Sequence, residues 1–368
     1  MSNDCKVLHF VSLMNRGGEE TFIMNVYRNV NRSKVQFDFL VVLSEKGDYD
    51  DEIQMLGGNI YHLKINRIKG PAKQVDNAFI LYRFLKQHVN EYVAFHIHTQ
   101  HAMDGFLSGT AAKLAGIRKV IVHSHNSDTI YHRRAHFVFR PFFEMLNVYR
   151  FACSDAAGKW LHGRRSFQII NNGIDTKAFG FDSDIRNKIR TDNGWTDKYI
   201  IGHVGRFNKQ KNHIFLIAIF EKVLELIPES ELVLIGTGEE ESGIRQLVDS
   251  KGLGEKVHFM GKQSHVIFFY QGMDLFLFPS LYEGLGIVVI EAQCAGLPCV
   301  LSDEVPLTTR VTELTHYISL SDKPEKWARQ IKLIADSKTV RCDHSEMVRD
   351  AGFEISTTAK KLENFYLN

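Results

Sequence analysis

Short apolar runs of strand length alternate along this chain with amphipathic stretches of helix length, and the alternation starts afresh after Asn171-Asn172-Gly173. Residues 6–11, 37–42, 59–63, 93–98 and 120–123 read as buried strands of a first series. Between them, stretches such as 20–30 and 75–89 place apolar residues three and four positions apart. A second series follows with strands at 199–204, 231–235, 257–260, 275–279 and 299–302. Strand and helix in strict alternation is the pattern of a parallel α/β sheet. The chain has 368 residues, too many for one ordinary core, so two α/β domains in series fit better than one large sheet. The boundaries predicted are 1–173 and 174–351, with a helix-like tail at 352–368 carrying Phe353, Ile355, Leu362, Phe365 and Tyr366. The polar, aperiodic segment 172–193 is read as the linker.

Composition narrows the class without deciding it. A content of 44% hydrophobic and 24% charged residues is an ordinary globular balance. No run approaches the ~18 apolar residues of a membrane span, and Asp4 and Lys6 interrupt what would have to be the apolar part of a secretion signal. Five scattered cysteines lack paired close spacing, which predicts free thiols in a reducing cytoplasm. The net charge of +2 hides an asymmetry, +7 for residues 1–173 against −5 for the remainder. The first half is therefore the one suited to an anionic surface or substrate.

Three motifs carry chemistry. Met14-Asn15-Arg16-Gly17-Gly18-Glu19-Glu20 follows the first strand and opens a helix, so its glycines allow close backbone approach to an anion at the helix N-terminus; a plain strand-to-helix turn is the alternative. In Gly202-His203-Val204-Gly205-Arg206-Phe207-Asn208-Lys209-Gln210-Lys211-Asn212, Gly205 permits a tight exit from the strand. Arg206 can fork onto two phosphate oxygens there, and Lys211 adds a point charge. A solvated basic loop is the bland alternative. The most specific run is Tyr282-Glu283-Gly284-Leu285-Gly286-Ile287-Val288-Val289-Ile290-Glu291-Ala292. It predicts Glu283 in a loop against a sugar hydroxyl, N–H groups near Leu285 and Gly286 facing a phosphate, and Glu291 two turns inside a helix, reaching a ribose diol. A structural helix with a capping carboxylate is the competing account. In open parallel sheets ligands sit beyond the carboxyl ends of the strands, so with two such domains facing each other the predicted site is a central cleft.

These stretches resemble the family 4 (group 1) glycosyltransferases of the GT-B fold, with two Rossmann-like domains, and most of all those that build bacterial surface polysaccharides. The resemblance spans nearly the whole chain through Gly17-Gly18, His123-Ser124-His125-Asn126, Asn172-Gly173-Ile174-Asp175, Gly205-Arg206 with Lys211, Gly236-Thr237-Gly238-Glu239, and Glu283 to Glu291 followed by Ala295-Gly296-Leu297-Pro298. It implies transfer with retention of anomeric configuration from a nucleotide-diphosphate sugar, most commonly a UDP-sugar, to a glycan or lipid-linked acceptor. By the same likeness Arg206 and Lys211 hold the departing diphosphate, Glu291 the ribose and Glu283 the donor sugar, while His123, or His125 two residues on, lies near the reacting carbon. It further implies an acceptor-binding first domain, a donor-binding second domain, a terminal helix that crosses back to the first, and no metal or other cofactor. Residue chemistry agrees, since charge building on a diphosphate calls for fixed cations more than for a strong base.

Other signals are assigned to structure. Asp48-Tyr49-Asp50 and Asp182-Ser183-Asp184 look like acidic metal-holding pairs but sit in polar loops, so solvated turns are expected. His96, His98 and His101 form a tempting cluster, read as substrate-facing or satisfied histidines rather than a metal site. Residues 131–146 interleave Arg133, Arg134 and Arg140 with Phe137, Phe139, Phe142 and Phe143, which suits either the interface of an anionic bilayer or a helix burying its rings in the core. The first reading places the protein in the cytoplasm at the inner face of the membrane. No nucleic-acid-binding module is recognisable. Rival functions are a nucleotide-sugar epimerase of the same fold and a non-catalytic nucleotide-sugar-binding subunit.

Overall fold

The computed structural model describes residues 5–63, 71–129, 132–337 and 339–368, with the backbone alone for 71–75. It divides into two compact units, 1–173 together with 355–368, and 174–354.

The first unit is built on seven parallel strands, β1 (Cys5–Val11), β2 (Val35–Val41), β3 (Ile60–His62), β4 (Ala94–Thr99), β5 (Lys119–Ser124), β6 (Tyr149–Ala152) and β7 (Gln168–Ile169). Their order across the sheet is β3-β2-β1-β4-β5-β6-β7. Both faces are covered, which is why the strands read as nearly continuous apolar runs. Val7, Phe37, Phe39 and Ile121 lie on one face among Phe22, Ile23 and Tyr27 of the helix Gly18–Asn29. Leu8, Phe95 and Val122 lie on the other, with Leu81, Leu85, Ala111 and Ala112. The terminal helix Ile355–Leu367 inserts Ile355, Ala359, Leu362 and Tyr366 into the first of these cores, so the end of the chain completes the unit that its beginning starts. That helix begins at Ile355, three residues later than the sequence indicates, because Gly352 takes a left-handed φ of 87° and interrupts the run.

The second unit has six parallel strands, β8 (Tyr199–Val204), β9 (Ser230–Ile235), β10 (Val257–Phe259), β11 (Leu275–Phe278), β12 (Cys299–Ser302) and β13 (Thr315–Ile318), in the order β10-β9-β8-β11-β12-β13. In each sheet the order reverses direction once, between β1 and β4 and between β8 and β11. Loops leaving the carboxyl ends of those neighbours diverge and leave a crevice, the place where such sheets take ligands.

The segment read from sequence as a linker is folded. The helix Ser183–Asp192 is capped by Asp182, whose carboxylate accepts from the N–H groups of Asp184 (2.8 Å) and Ile185 (3.0 Å). Its Arg186 and Arg190 both pair with Asp274, the latter at 2.9 Å. The helix is held by these buried-side ion pairs and by Ile189, which joins the second unit's core, rather than by an apolar stripe of its own. Asp182-Ser183-Asp184 is thus a helix cap. In the first unit Asp48 accepts from the Arg16 N–H at 3.0 Å and Asp50 from the Gly47 N–H at 2.9 Å, so the other acidic pair closes a turn. Among the described residues no helix is long and apolar enough to cross a membrane.

Candidate functional site

At the end of β8 the chain leaves through Gly205 into a short 3-10 turn, Lys209–Lys211, and then the helix His213–Leu226. A Cβ on Gly205 would stand 3.1 Å from Lys211 Cγ, so the bare glycine lets the lysine stem lie across the turn. Gly236, after β9, has a φ of 136°, and a Cβ there would come within 2.0 Å of the Gly205 carbonyl oxygen. Two strand exits therefore pack backbone against backbone, which only glycine at 236 permits. The turn is fixed by Asn208, whose Oδ1 accepts from the Lys211 N–H at 3.2 Å, and by His213, which stacks on Phe207 with ring centroids 4.1 Å apart.

The neighbouring strand β11 ends in the loop 279–286, and the turn after β8 is tied to it. Leu281 N–H donates to the Gln210 carbonyl at 2.8 Å, Gln210 Nε2 to the Tyr282 carbonyl at 2.9 Å, and Asn212 Nδ2 to the Pro279 carbonyl at 3.1 Å. These bonds bring Lys211 Nζ to 2.5 Å from Glu283 Oε1 and 4.7 Å from the Phe278 ring centroid. The pair is largely withdrawn from water, with side-chain exposures of 15% for Lys211 and 6% for Glu283. Arg206 takes a different direction. Its side chain is 69% exposed and meets Glu239 at 3.1 Å, in the loop that carries Gly236 and Gly238. An exposed pair of this kind is weak and yields readily to a better anion.

Gly286, at a φ of 83°, turns the chain into the helix Ile287–Cys294, with Leu285 buried beneath the turn. Because the helix begins at Ile287, Glu291 opens its second turn rather than lying two full turns in. Its carboxylate is buried and accepts a hydrogen bond from Tyr270 Oη at 2.8 Å. Burial pushes its pKa up to about 7, and the tyrosine hydroxyl opposes that rise. At neutral pH this group is balanced between acceptor-only and protonated forms, as suits a partner for ligand hydroxyls.

In the first unit Gly17 caps the helix Gly18–Asn29 without a side-chain cap, and a Cβ on Gly18 would meet nothing within 4 Å. β1, β4, and β5 with the residue just beyond it gather five buried histidines, His9, His96, His98, His123 and His125. His101, by contrast, turns to Asp104 at 3.1 Å. Two triads, His9/His96/His98 and His98/His123/His125, each have ring nitrogens within 4.8 Å of one another. The rings of His96 and His98 stack at 4.3 Å and 20°, and those of His123 and His125 lie tilted at 4.2 Å and 31°. Some of the ring nitrogens are paired with one another, His9 with His98, His98 with His125 and His96 with His123. Burial lowers the pKa of all five, to about 3 for His9 and His125, so each is a neutral imidazole.

Residues 185–352 match the family Glycosyl transferases group 1, and residues 16–178 match Glycosyltransferase Family 4. EpsF of Bacillus subtilis (strain 168), which bears the name of a glycosyltransferase, is 33% identical over 99% of this chain and 97% of its own length. The chain belongs to glycosyltransferase family 4. The capsular polysaccharide biosynthesis glycosyltransferase CapH of Staphylococcus aureus is 26% identical over 99% of both chains. HepE of Anabaena, solved with UDP and glucose, superposes with a TM-score of 0.78 at 17% identity, over 98% of this chain and 99% of its own. That likeness establishes the architecture as GT-B, two Rossmann-like domains.

In this glycosyltransferase the structure joins Lys211 to Glu283 directly, sets Gly205 and Gly236 in contact, and places Leu285, Gly286 and Glu291 on one loop and helix. Gly17, Gly18, His123 and His125 lie on the other unit. Sequence reasoning passed over Tyr270, which holds Glu291 from 21 positions away and leaves no local signal. The roles of Gln210 and Asn212 do have a local signal, since amides flanking a basic residue in a turn are natural loop ties. His9 was missed as well, though it shares the inward face of its strand with Val7 and Val11.

Proposed function

We propose that this transferase moves a hexosyl unit from a UDP-sugar, with retention and without a metal ion, to a glycan or lipid-linked acceptor in surface polysaccharide synthesis. The observation that carries the reading is the Lys211–Glu283 pair, held at the crevice between β8 and β11 by glycine turns that leave the backbone open. Lys211 and Arg206 supply two cations for the charge that gathers on the leaving diphosphate, which is the role a metal would otherwise fill. N–H groups about Gly205, Leu285 and Gly286 meet phosphate oxygens, Glu291 accepts from the ribose diol, and Glu283 faces the sugar while orienting Lys211. Gly17 and Gly18 let the first unit's backbone approach the donor, and that unit presents the acceptor, with His123 beside the reacting carbon. The bond from the anomeric carbon to phosphate breaks, the bond to the acceptor oxygen forms on the same face, and the leaving phosphate oxygen takes the acceptor's proton.

A peripheral membrane contact belongs to the same proposal, and would set the protein at the cytoplasmic face. The helix Arg133–Met145 buries Phe143 but leaves Phe137, Val138, Phe142 and Met145 more than half exposed beside Arg133 and Arg134. Rings and cations so placed suit an anionic bilayer, where lipid-linked acceptors lie.

The test is transfer from UDP-glucose, UDP-galactose or UDP-N-acetylglucosamine to lipid-linked saccharides in anionic vesicles, with EDTA present and the product anomer read by NMR. Retained product formed from one donor in EDTA is the expected result. An inverted product, or transfer only when a divalent ion is restored, would overturn the mechanism.

A further inference from the structure

The buried histidines form two separate hydrogen-bonded chains, and the two end differently. In one, Tyr366 Oη lies 2.7 Å from His96 Nδ1, and His96 Nε2 lies 3.2 Å from His123 Nδ1. In the other, His9 Nδ1 lies 3.0 Å from His98 Nε2, and His98 Nδ1 lies 2.8 Å from His125 Nε2. His123 Nε2, His125 Nδ1 and His9 Nε2 are buried with no hydrogen-bond partner among the described residues.

A neutral imidazole carries one N–H and one bare nitrogen, so the protons along such a chain must all point the same way. The chain through His98 has an imidazole at each end and can run in either direction. The chain through His96 ends on a phenol. Phenol O–H is far more acidic than imidazole N–H, and imidazole nitrogen is far more basic than phenol oxygen, so the strong arrangement has the tyrosine donating to His96 Nδ1. His96 must then carry its proton on Nε2 and donate to His123 Nδ1, which leaves the proton of His123 on Nε2.

We infer that Tyr366 is a positioning residue for the transfer: acting through His96, its hydroxyl fixes His123 as an Nε2–H donor and bars it from serving as a base at that nitrogen. The inference rests on the reading that His123 lines the reacting sugar, and assigns the terminal helix Ile355–Leu367 a part in the chemistry beyond its packing. His125, at the end of a chain without a phenol, keeps both tautomers.

The experiment uses the full-length protein labelled with 15N in its histidine rings, as wild type and as Tyr366→Phe. Ring nitrogens are correlated with ring protons, and His96→Asn and His123→Asn serve for assignment. Wild type should show protonated Nε2 and bare Nδ1 at both His96 and His123. In Tyr366→Phe the His123 Nε2 signal should move toward the bare position while His98 and His125 stay unchanged. Turnover should fall about two- to tenfold with the donor KM unaltered, a split that loosened packing would not give. A bare Nε2 on His123 in the wild type, or an unmoved His123 in the variant, would overturn the relay. A moved tautomer with unchanged turnover would leave the relay standing and remove His123 from the reacting sugar.

Discussion

Glu291 shows how one side chain can couple stability, pH and binding. Its folded pKa of about 7 lies above the ordinary 4.5, so between these values the folded chain holds more protons than the unfolded chain. Stability from this group is therefore greatest below about pH 4.5, falls as pH rises toward 7, and is fully lost above that, by about 3 kcal/mol. Glu291→Gln keeps an acceptor for the Tyr270 hydroxyl and removes the titration. The predicted difference in unfolding free energy between variant and wild type is near zero at pH 4 and grows to about 3 kcal/mol in favour of glutamine at pH 8. Urea unfolding across that range checks it, since the buried histidines titrate alike in both proteins and cancel. A constant difference would mean that the carboxylate is not desolvated. Lys211 and Glu283 obey another rule. Both are largely withdrawn from water, so removing one takes a close opposite charge from the other, and a loss of activity in Lys211→Ala carries a stability cost within it.

At the scale of elements, the site is a property of strand exits. Gly236 after β9 supports Gly205 after β8, which in turn clears the way for Lys211. Gly236→Ala would place a methyl group 2.0 Å from the Gly205 carbonyl oxygen at a φ of 136°, so the turn must move. The predicted cost is about 1–3 kcal/mol, seen mainly as a donor affinity weakened about tenfold or more in calorimetry while the sheet stays folded. An unchanged affinity would show that the turn does not touch the donor. These exits were legible in the sequence because glycine next to a buried run has few other uses. The ten strands expected from apolar runs are all present, with ends shifted by a residue or two. What escaped was β6, β7 and β13, whose two to four residues mix Tyr149, Arg150, Gln168, Thr315 and His316 with apolar neighbours and carry too little pattern. The helix Ser183–Asp192 escaped for a related reason, since what holds it is Asp274, more than eighty positions away. The loop motifs announced Lys211, Glu283 and Glu291, whereas the partner of Glu291 and the histidine chains needed the register of strands to appear.

On the scale of the whole molecule, the chain builds two sheets and returns to the first to finish it. The second unit, 174–354, is one continuous stretch, and the first needs both ends of the chain, so a change near Tyr366 reaches His96 on β4. The two halves differ in charge and surface: the first is basic and carries the exposed aromatic helix, while the second holds the Lys211–Glu283 pair and Glu291. On the function proposed above, the loops after β8 and β11 clamp a nucleoside diphosphate without a metal. Its most direct test is the thermal midpoint with UDP, GDP or ADP at about 100 times the dissociation constant, with and without EDTA, in wild type and Lys211→Ala. Binding at that level adds about 2.7 kcal/mol and should raise the midpoint by several degrees. UDP should stabilise the wild type equally with and without EDTA, and the shift should shrink to less than about half in Lys211→Ala. A shift abolished by EDTA, or one undiminished in Lys211→Ala, would contradict the metal-free clamp.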